Sequence, residues 1–406
     1  MKKYILYLVL SLVLFAGCSD SVIGYESREA YVETLAESNV IYYTTSDGKM
    51  IKPTYSEVFA IKVVSNDYED GLGVMTFDRP INEIGTNMFA GCMNLVSITL
   101  PYSVTKIGKG AFKNCRSLSS VGLAEVTSVI DDDAFCNCYA LTSFTIPQKV
   151  KRIGSRAFRG CINLSEISIP ESVTHIGEEA FCQCRLFESM VIPDSVTEMG
   201  GGVFKDCSAL TSVTLPNAIT EIPYQMFHNC ALLSGIDIPN GVTEIGSGAF
   251  QGCRSLTEVI IPDGTHTIGY DTFNNCTELT SINLPSKLGA IEDRAFMNCE
   301  KLYFGEIIFP EGVRRIGNYA FYGNNSITKI VIPEVAWYIG KCSFASCSNL
   351  LSVYCKPIEP SEWPNDAFVG NAPGRKIYVP SESLEKYKEA IYWRDFADDI
   401  VGYDFE

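Results

Sequence analysis

Histidine is almost missing from this sequence. Only His175, His228 and His266 occur in 406 residues, and they fall at three different registers of the repeat set out below. They cannot line one face, so a convergent Ser-His-Asp or Cys-His site is not expected, and each reads as a solvated turn residue. Basic residues are also short, 32 Lys and Arg against 48 Asp and Glu, for a formal charge of −16. That balance excludes a nucleic-acid footprint and an electrostatic hold on anionic membranes. It keeps a long surface soluble and names no partner. Beyond residue 17 no apolar run is long enough to span a bilayer. No phosphate loop and no paired-carboxylate motif stands out, so we expect no enzyme, no cofactor and no bound metal.

What is present is one phrase written many times. IGKGAFKNCRSL at 107–118 and IGSGAFQGCRSL at 245–256 share nine of their twelve residues in the same order. Phenylalanine keeps the count, at Phe89, Phe112, Phe135, Phe158, Phe181, Phe204, Phe227, Phe250, Phe273 and Phe296, every step 23 residues. Phe321, Phe344 and Phe368 continue at steps of 25, 23 and 24. Each unit reads roughly L-x-x-I-x-I-P-x-x-V-T-x-I-G-x-x-A-F-x-x-C-x-x. A fixed period of this length predicts one supersecondary unit per repeat, stacked as a solenoid. Within LTSVTLP (210–216), Val213, Thr214 and Leu215 alternate as a half-buried strand does, and Pro216 ends it. A second apolar pair such as Val242 and Ile245 precedes a glycine, Gly246 or its equivalent, which we expect to serve a tight turn at positive φ. A single turn carrying Ala-Phe follows, too short to stand unless packed.

Three residues after each phenylalanine stands a cysteine, as in Cys115, Cys161 and Cys253. At two units Asn324 and Asn371 hold the place instead. Cysteine and asparagine share modest size and the capacity to hydrogen-bond a backbone carbonyl, which argues for a structural ladder. Stacked coils repeat at roughly 4.7–4.9 Å, and parallel Cβ atoms keep that spacing, beyond the ~3.5–4.5 Å of a disulfide. We therefore expect buried free thiols acting as small hydrophobes. A line of ligands at one register does not make a zinc tetrahedron. The extra Cys136 and Cys182 stand two repeats apart and do not change that.

The L-x-x-I-x-I-P strand, the V-T-x-I-G turn and the A-F-x-x-C turn together resemble the leucine-rich repeats of the BspA type, found in surface proteins of gut Bacteroidetes and in some protists. The resemblance covers roughly residues 81 to 380. It implies a leucine-rich-repeat solenoid, β-rich with short helical turns, of about 12–13 coils of 23 residues capped at both ends. It further implies an extracellular protein, several relatives being adhesins. Ala124 in place of the proline, and Asp131, Pro223 and Glu292 in place of the glycine, depart from the pattern locally.

At the N-terminus Lys2 and Lys3 precede YILYLVLSLVLFAG and then Cys18. This resembles a bacterial lipoprotein signal, which implies that Cys18 is lipidated. The expected organisation is a signal peptide at 1–17, a flexible tether at 18–40, an N-terminal β cap at 41–80, the solenoid at 81–379 and a C-terminal capping helix at 380–406. In that helix Ser381 would cap, and Leu384, Tyr387, Ile391 and Phe396 would form the apolar face. Trp393 is read as packing on the last coil.

Binding is expected on the outward positions of the strands. The first half is a lawn of Ser and Thr, from Ser97 and Thr99 to Ser212 and Thr214. The second half gains Ile260, Ile308, Val331 and Tyr354 at one register, the candidate contact for a protein ligand on a host or bacterial surface. β-branched residues also simply suit strands. Glycan capture lacks the aromatic platform it needs. Two readings remain: an outer-membrane lipoprotein displayed on the cell surface for adhesion or protein binding, with lipid as its only membrane contact, or a periplasm-facing accessory of an envelope complex.

Overall fold

A computed structural model describes residues 38–54 and 61–405; the signal, Cys18 and most of the expected tether lie outside them. The chain forms two compact units that meet in sequence between Cys184 and Arg185. Both are β-solenoids, together about 14 turns of roughly 23 residues.

In the first unit the strands Val40–Thr45, Val63–Glu69 and Leu72–Phe77 form an antiparallel group. Val40–Thr45 also runs antiparallel to Leu95–Thr99, the first long strand of the repeats. This covers an edge that would otherwise expose unpaired backbone groups. From there on nearly every coil contributes two strands to parallel ladders. The short strands Glu83–Ile84, Lys106–Ile107, Val129–Ile130, Arg152–Ile153 and His175–Ile176 align their isoleucines in register. All five isoleucines are fully buried. The second unit repeats the device with Ile222, Ile245, Ile268, Ile291, Ile316 and Ile339.

Phenylalanine fills the opposite wall. Phe112 and Phe135 stack at 5.3 Å between centroids, Phe250 and Phe273 at 5.4 Å, and Phe321 and Phe344 at 5.3 Å. Within each unit, fully buried rings of this kind make aromatic stacking part of the boundary between successive coils, worth ~0.5–1.5 kcal/mol per pair beyond area burial.

The repeat glycine does not take positive φ. Gly154, Gly177 and Gly246 have ordinary φ, and a Cβ on any of them would sit 2.4–2.6 Å from backbone of the preceding coil. Glycine is there because two coils touch at that corner. The left-handed residues lie on either side of the phenylalanine instead: Asn114 (φ 63), Asn137 (φ 61), Asn229 (φ 59) and Asn275 (φ 62) two places after it, and Asp133 (φ 56) and Arg156 (φ 57) two places before. Asparagine and aspartate tolerate this region. Arg156 is held in it by a ladder bond from its N–H to the Glu178 carbonyl at 2.7 Å.

The C-terminal segment is not one helix. A 3-10 turn Ser381–Ser383 leads into a short α-helix Leu384–Glu389, then a second 3-10 stretch Arg394–Asp399 and a strand Ile400–Tyr403. Ser381 therefore caps nothing; the α-helix starts after Ser383, which makes no side-chain cap bond. The break at Ala390 has a packing cause. A continuous helix would bury Ile391 on the Leu384–Tyr387 face and turn Trp393 away. The chain instead buries Tyr387 and Trp393, leaving Ile391 68% exposed. Tyr387 donates its hydroxyl to the Pro357 carbonyl at 2.7 Å, and Trp393 donates Nε1–H to Ser361 O at 2.9 Å. Ile400–Tyr403 then pairs parallel with Lys376–Pro380. The solenoid sheet thus continues into the segment read from sequence as a cap, which is why the turns number about 14 rather than 12–13.

Candidate interaction surface

The last sheet of the second unit holds Glu306–Ile308, Lys329–Ile332, Ser352–Cys355, Lys376–Pro380 and Ile400–Tyr403, all parallel. Strict alternation sends Ile330, Ile332, Val353, Cys355, Ile377 and Val379 into the core. It leaves the residues between them on the outer face. Register places Ile308 beside Val331, Val331 beside Tyr354, Tyr354 beside Tyr378, and Tyr378 beside Val401. Three of the four residues expected to form an apolar stripe are therefore neighbours.

Ile260 is not among them. It follows Glu258–Val259, whose only strand partner, Ser281–Ile282, forms with it a separate two-stranded sheet. The next residue there, Asn283, turns its side chain back onto Ile261: its Oδ1 accepts from the Ile261 N–H at 2.7 Å and its Nδ2 donates to the Ile261 carbonyl at 2.8 Å. The two residues inserted before Ile308 then shift the stack. Ile260 stands alone, 69% exposed.

The row also extends further than the sequence suggested. Tyr354 stacks on Tyr378 at 4.5 Å with an interplanar angle of 15°. Tyr403 stands edge-on to Tyr354 at 5.2 Å and to Tyr378 at 5.8 Å, and Phe405 packs on Tyr403 at 5.0 Å. Lys329 lies with Nζ 5.2 Å from the Tyr354 ring centre and 3.2 Å from a Glu306 carboxylate oxygen. Burial first, then neighbouring tyrosines, raises the Tyr354 hydroxyl above its usual range, so the ring stays neutral. Tyr378 was legible in principle, since RKIYVP repeats the I-x-I-P strand 24 residues after SVYC. Tyr403, at the end of strand Ile400–Tyr403, and Phe405 just beyond it were hidden because the segment reads from its sequence as a capping helix.

The first unit offers a different face. Ser97 pairs with Ser120, Ser143 with Glu166, and Thr145 with Ser168. Thr44 and Ser97 share a hydroxyl hydrogen bond at 2.6 Å. Apart from Tyr42, which lies beside Thr99, the named positions of this surface lack the Trp, Tyr and Arg that anchor interfaces.

The cysteines are free among the described residues, and within each unit the ladder thiols that follow a coil donate to a phenylalanine carbonyl of that preceding coil. Cys115 reaches Phe89 O at 3.0 Å, Cys161 reaches Phe135 O at 3.2 Å, and Cys253 reaches Phe227 O at 3.1 Å. Asn324 and Asn371 make the same bond with Nδ2, to Phe296 O at 3.0 Å and Phe344 O at 2.7 Å. Burial pushes the thiols of Cys115, Cys299 and Cys347 up to about 12. A neutral, buried thiol is neither nucleophile nor metal ligand. The histidines stay apart: His175 lies in a short strand, His266 is exposed, and His228 is half-buried with its pKa lowered, chiefly by burial. His228 is thus less solvated than its sequence position implied. Among the described residues no group of three or more His, Cys, Asp or Glu is placed to hold a metal ion.

A family model for the BspA type leucine rich repeat region matches residues 68–186, 174–303 and 267–394. The chain belongs to the BspA-type leucine-rich-repeat family. A leucine-rich repeat protein from Bacteroides ovatus is similar in structure, with a TM-score of 0.53, 23% identity, and 83% of this chain and 95% of that one covered. The pneumococcal vaccine antigen PcpA gives a TM-score of 0.54 at 20% identity, over 80% of this chain and 84% of its own. At these identities the likeness is one of fold. No curated protein matches the sequence significantly. The BspA-type fold is in general a protein-interaction scaffold rather than a catalytic one.

Proposed function

We propose that this BspA-type protein is a lipid-anchored cell-surface protein that binds another protein through the strand face of its second unit. The observation that carries the reading is the unbroken outward row Ile308, Val331, Tyr354, Tyr378 and Val401. Ile308 and Val401 are exposed and Val331, Tyr354 and Tyr378 half-buried between them; a continuous aliphatic and aromatic row of this kind needs a use, and tyrosine is a preferred interface anchor. Anchoring rests on the LFAGC sequence, with Cys18 as the acylated residue, and adhesion to a host or bacterial surface is the role such a display would fill.

Protease shaving of intact cells tests the placement, with a known periplasmic protein as control. Loss of the repeats while the control survives is the expected result. Protection until the outer membrane is broken would refute display and assign the chain to a periplasmic complex. Cys18→Ser is expected to abolish fatty-acid labelling and release the protein from membranes; unchanged membrane retention would sink the anchor.

A further inference from the structure

Beside the aromatic row the second unit opens a cleft of about 460 Å³, and Tyr403 and Phe405 belong to both. The cleft walls are strongly one-signed. Glu311, Glu334, Glu382 and Asp404 line it against a single cation, Lys356, whose Nζ is already paired with Glu311 at 2.7 Å. Three carboxylates, Glu334, Glu382 and Asp404, are left, all exposed and with no cation on them among the described residues. They face the same space as two aromatic rings.

We infer that the cleft and the tyrosine row together form a docking surface for an extended, Lys- or Arg-bearing segment of a partner protein. This rests on the protein-binding reading above and gives it a place and a chemistry. A basic side chain entering the cleft would meet carboxylates as charge-assisted hydrogen-bond acceptors and ring faces and edges as a cation–π and apolar wall. The surface already holds one cation in this manner, Lys329 over Tyr354 at 5.2 Å. The apolar residues flanking a basic position would lie along Tyr378, Tyr354, Val331 and Ile308. Other occupants fit less well. A second copy of the chain would set the same carboxylates against each other, and anionic lipid or nucleic acid would be repelled. Tyr354 and Tyr378 cover each other's faces at 4.5 Å, so they offer edges and hydroxyls, not the open ring on which a sugar stacks.

The test uses full-length protein in mild detergent and fluorescent decapeptides in matched pairs, Leu/Tyr-rich with either Lys and Arg or Glu at the same positions. Anisotropy titration is expected to show binding of the basic members alone, weakening as salt rises. The triple variant E334Q/E382Q/D404N should weaken it by ~10-fold or more, and Tyr403→Ser by a smaller factor. A control triple, E221Q/E244Q/E258Q, makes the same change in net charge on exposed strands of the same unit and should leave affinity unchanged. The inference is overturned if basic and acidic peptides bind alike or neither binds, or if the control triple weakens binding as much as the cleft triple. It is equally overturned if a neutral oligosaccharide panel or self-association, rather than basic peptide, proves sensitive to Tyr403→Ser. None of these outcomes touches protease accessibility on cells, so surface display stands or falls separately.

Discussion

Gly177→Ala separates two explanations of the repeat glycine. If that glycine serves a left-handed turn, alanine costs only the φ penalty. If it serves contact between coils, alanine drives a methyl into main chain. Its Cβ would lie 2.4 Å from Ser155 N, 2.7 Å from Gly154 C and 2.8 Å from Ser155 Cα, where ordinary contact begins near 3.4 Å. Backbone on both sides leaves no side chain to swing away, so the coils must part by about 1 Å at that corner. The bond from Gly177 N–H to Ile153 O, now 2.8 Å, would stretch past a useful length. Overpacking costs ~1–3 kcal/mol and each ladder bond lost ~1 kcal/mol, so we expect a destabilisation of about 3 kcal/mol or more. Gly91→Ala is the matched control in the same unit: φ is +74° but nothing stands within 4 Å of its Cβ. A left-handed alanine costs ~1–2 kcal/mol, partly offset by ~0.4–1 kcal/mol of lost freedom in the unfolded chain. Urea unfolding gives the ranking, and hydrogen exchange across 152–180 locates the damage. If Gly91→Ala costs as much as Gly177→Ala, or Gly177→Ala costs under ~1 kcal/mol, close approach is the wrong explanation.

The remaining predictions concern the ladder and its flanks. Cys253→Asn should fold with its bond to the Phe227 carbonyl replaced, as Asn324 does naturally, whereas Cys253→Val should lose ~0.5–1.5 kcal/mol for that bond, the carbonyl keeping only the Cys230 N–H at 3.0 Å; equal stability of the two variants would show that the bond contributes nothing. Iodoacetamide at pH 8 should leave Cys253, Cys276 and Cys299 unlabelled in native protein and label them in urea, since burial raises all three thiols; native labelling at the unfolded rate would contradict their burial. The pKa of His228 is lowered from 6.5 by burial and then by Lys205, so below pH 6.5 the unfolded chain binds the proton first and stability falls as pH drops. His228→Gln should flatten that slope between pH 6.5 and 5, seen by urea midpoints; an unchanged slope would assign it to other groups.

The scaffold was legible because its residues answer to one constraint repeated. Isoleucine before the glycine, phenylalanine after alanine and cysteine three places on are each buried in nearly every coil, and a period of 23 needs no other information. Asn324 and Asn371 were informative as exceptions, since what they share with cysteine is the one bond the ladder requires. The glycine was misread because sequence cannot distinguish a residue lacking Cβ for its own φ from one lacking it for a neighbour's backbone. Asn114 and Asn137 carry the left-handed conformation without advertising it. The end of the chain was misread for a related reason. Leu384, Tyr387 and Ile391 keep helical spacing, yet burying Trp393 outweighs continuing the helix, and that preference depends on Trp363, 30 residues back and 5.0 Å from Trp393 in space.

The functional surface was hard to read for a reason intrinsic to the fold. A solenoid fixes its inward residues and leaves the outward ones free, so the positions that bear function are those on which the repeat is silent. Their meaning comes from register between coils. Ile260 and Ile308 look equivalent in the pattern, but Asn283 and the two-residue insertion before Ile308 put them in different sheets. Tyr354, Tyr378 and Tyr403 look unrelated, but ladder pairing and the final strand bring them together. Adjacency across coils, not composition of the strand face, is therefore the signal for a candidate binding surface, and here it singles out the last five strands of the second unit.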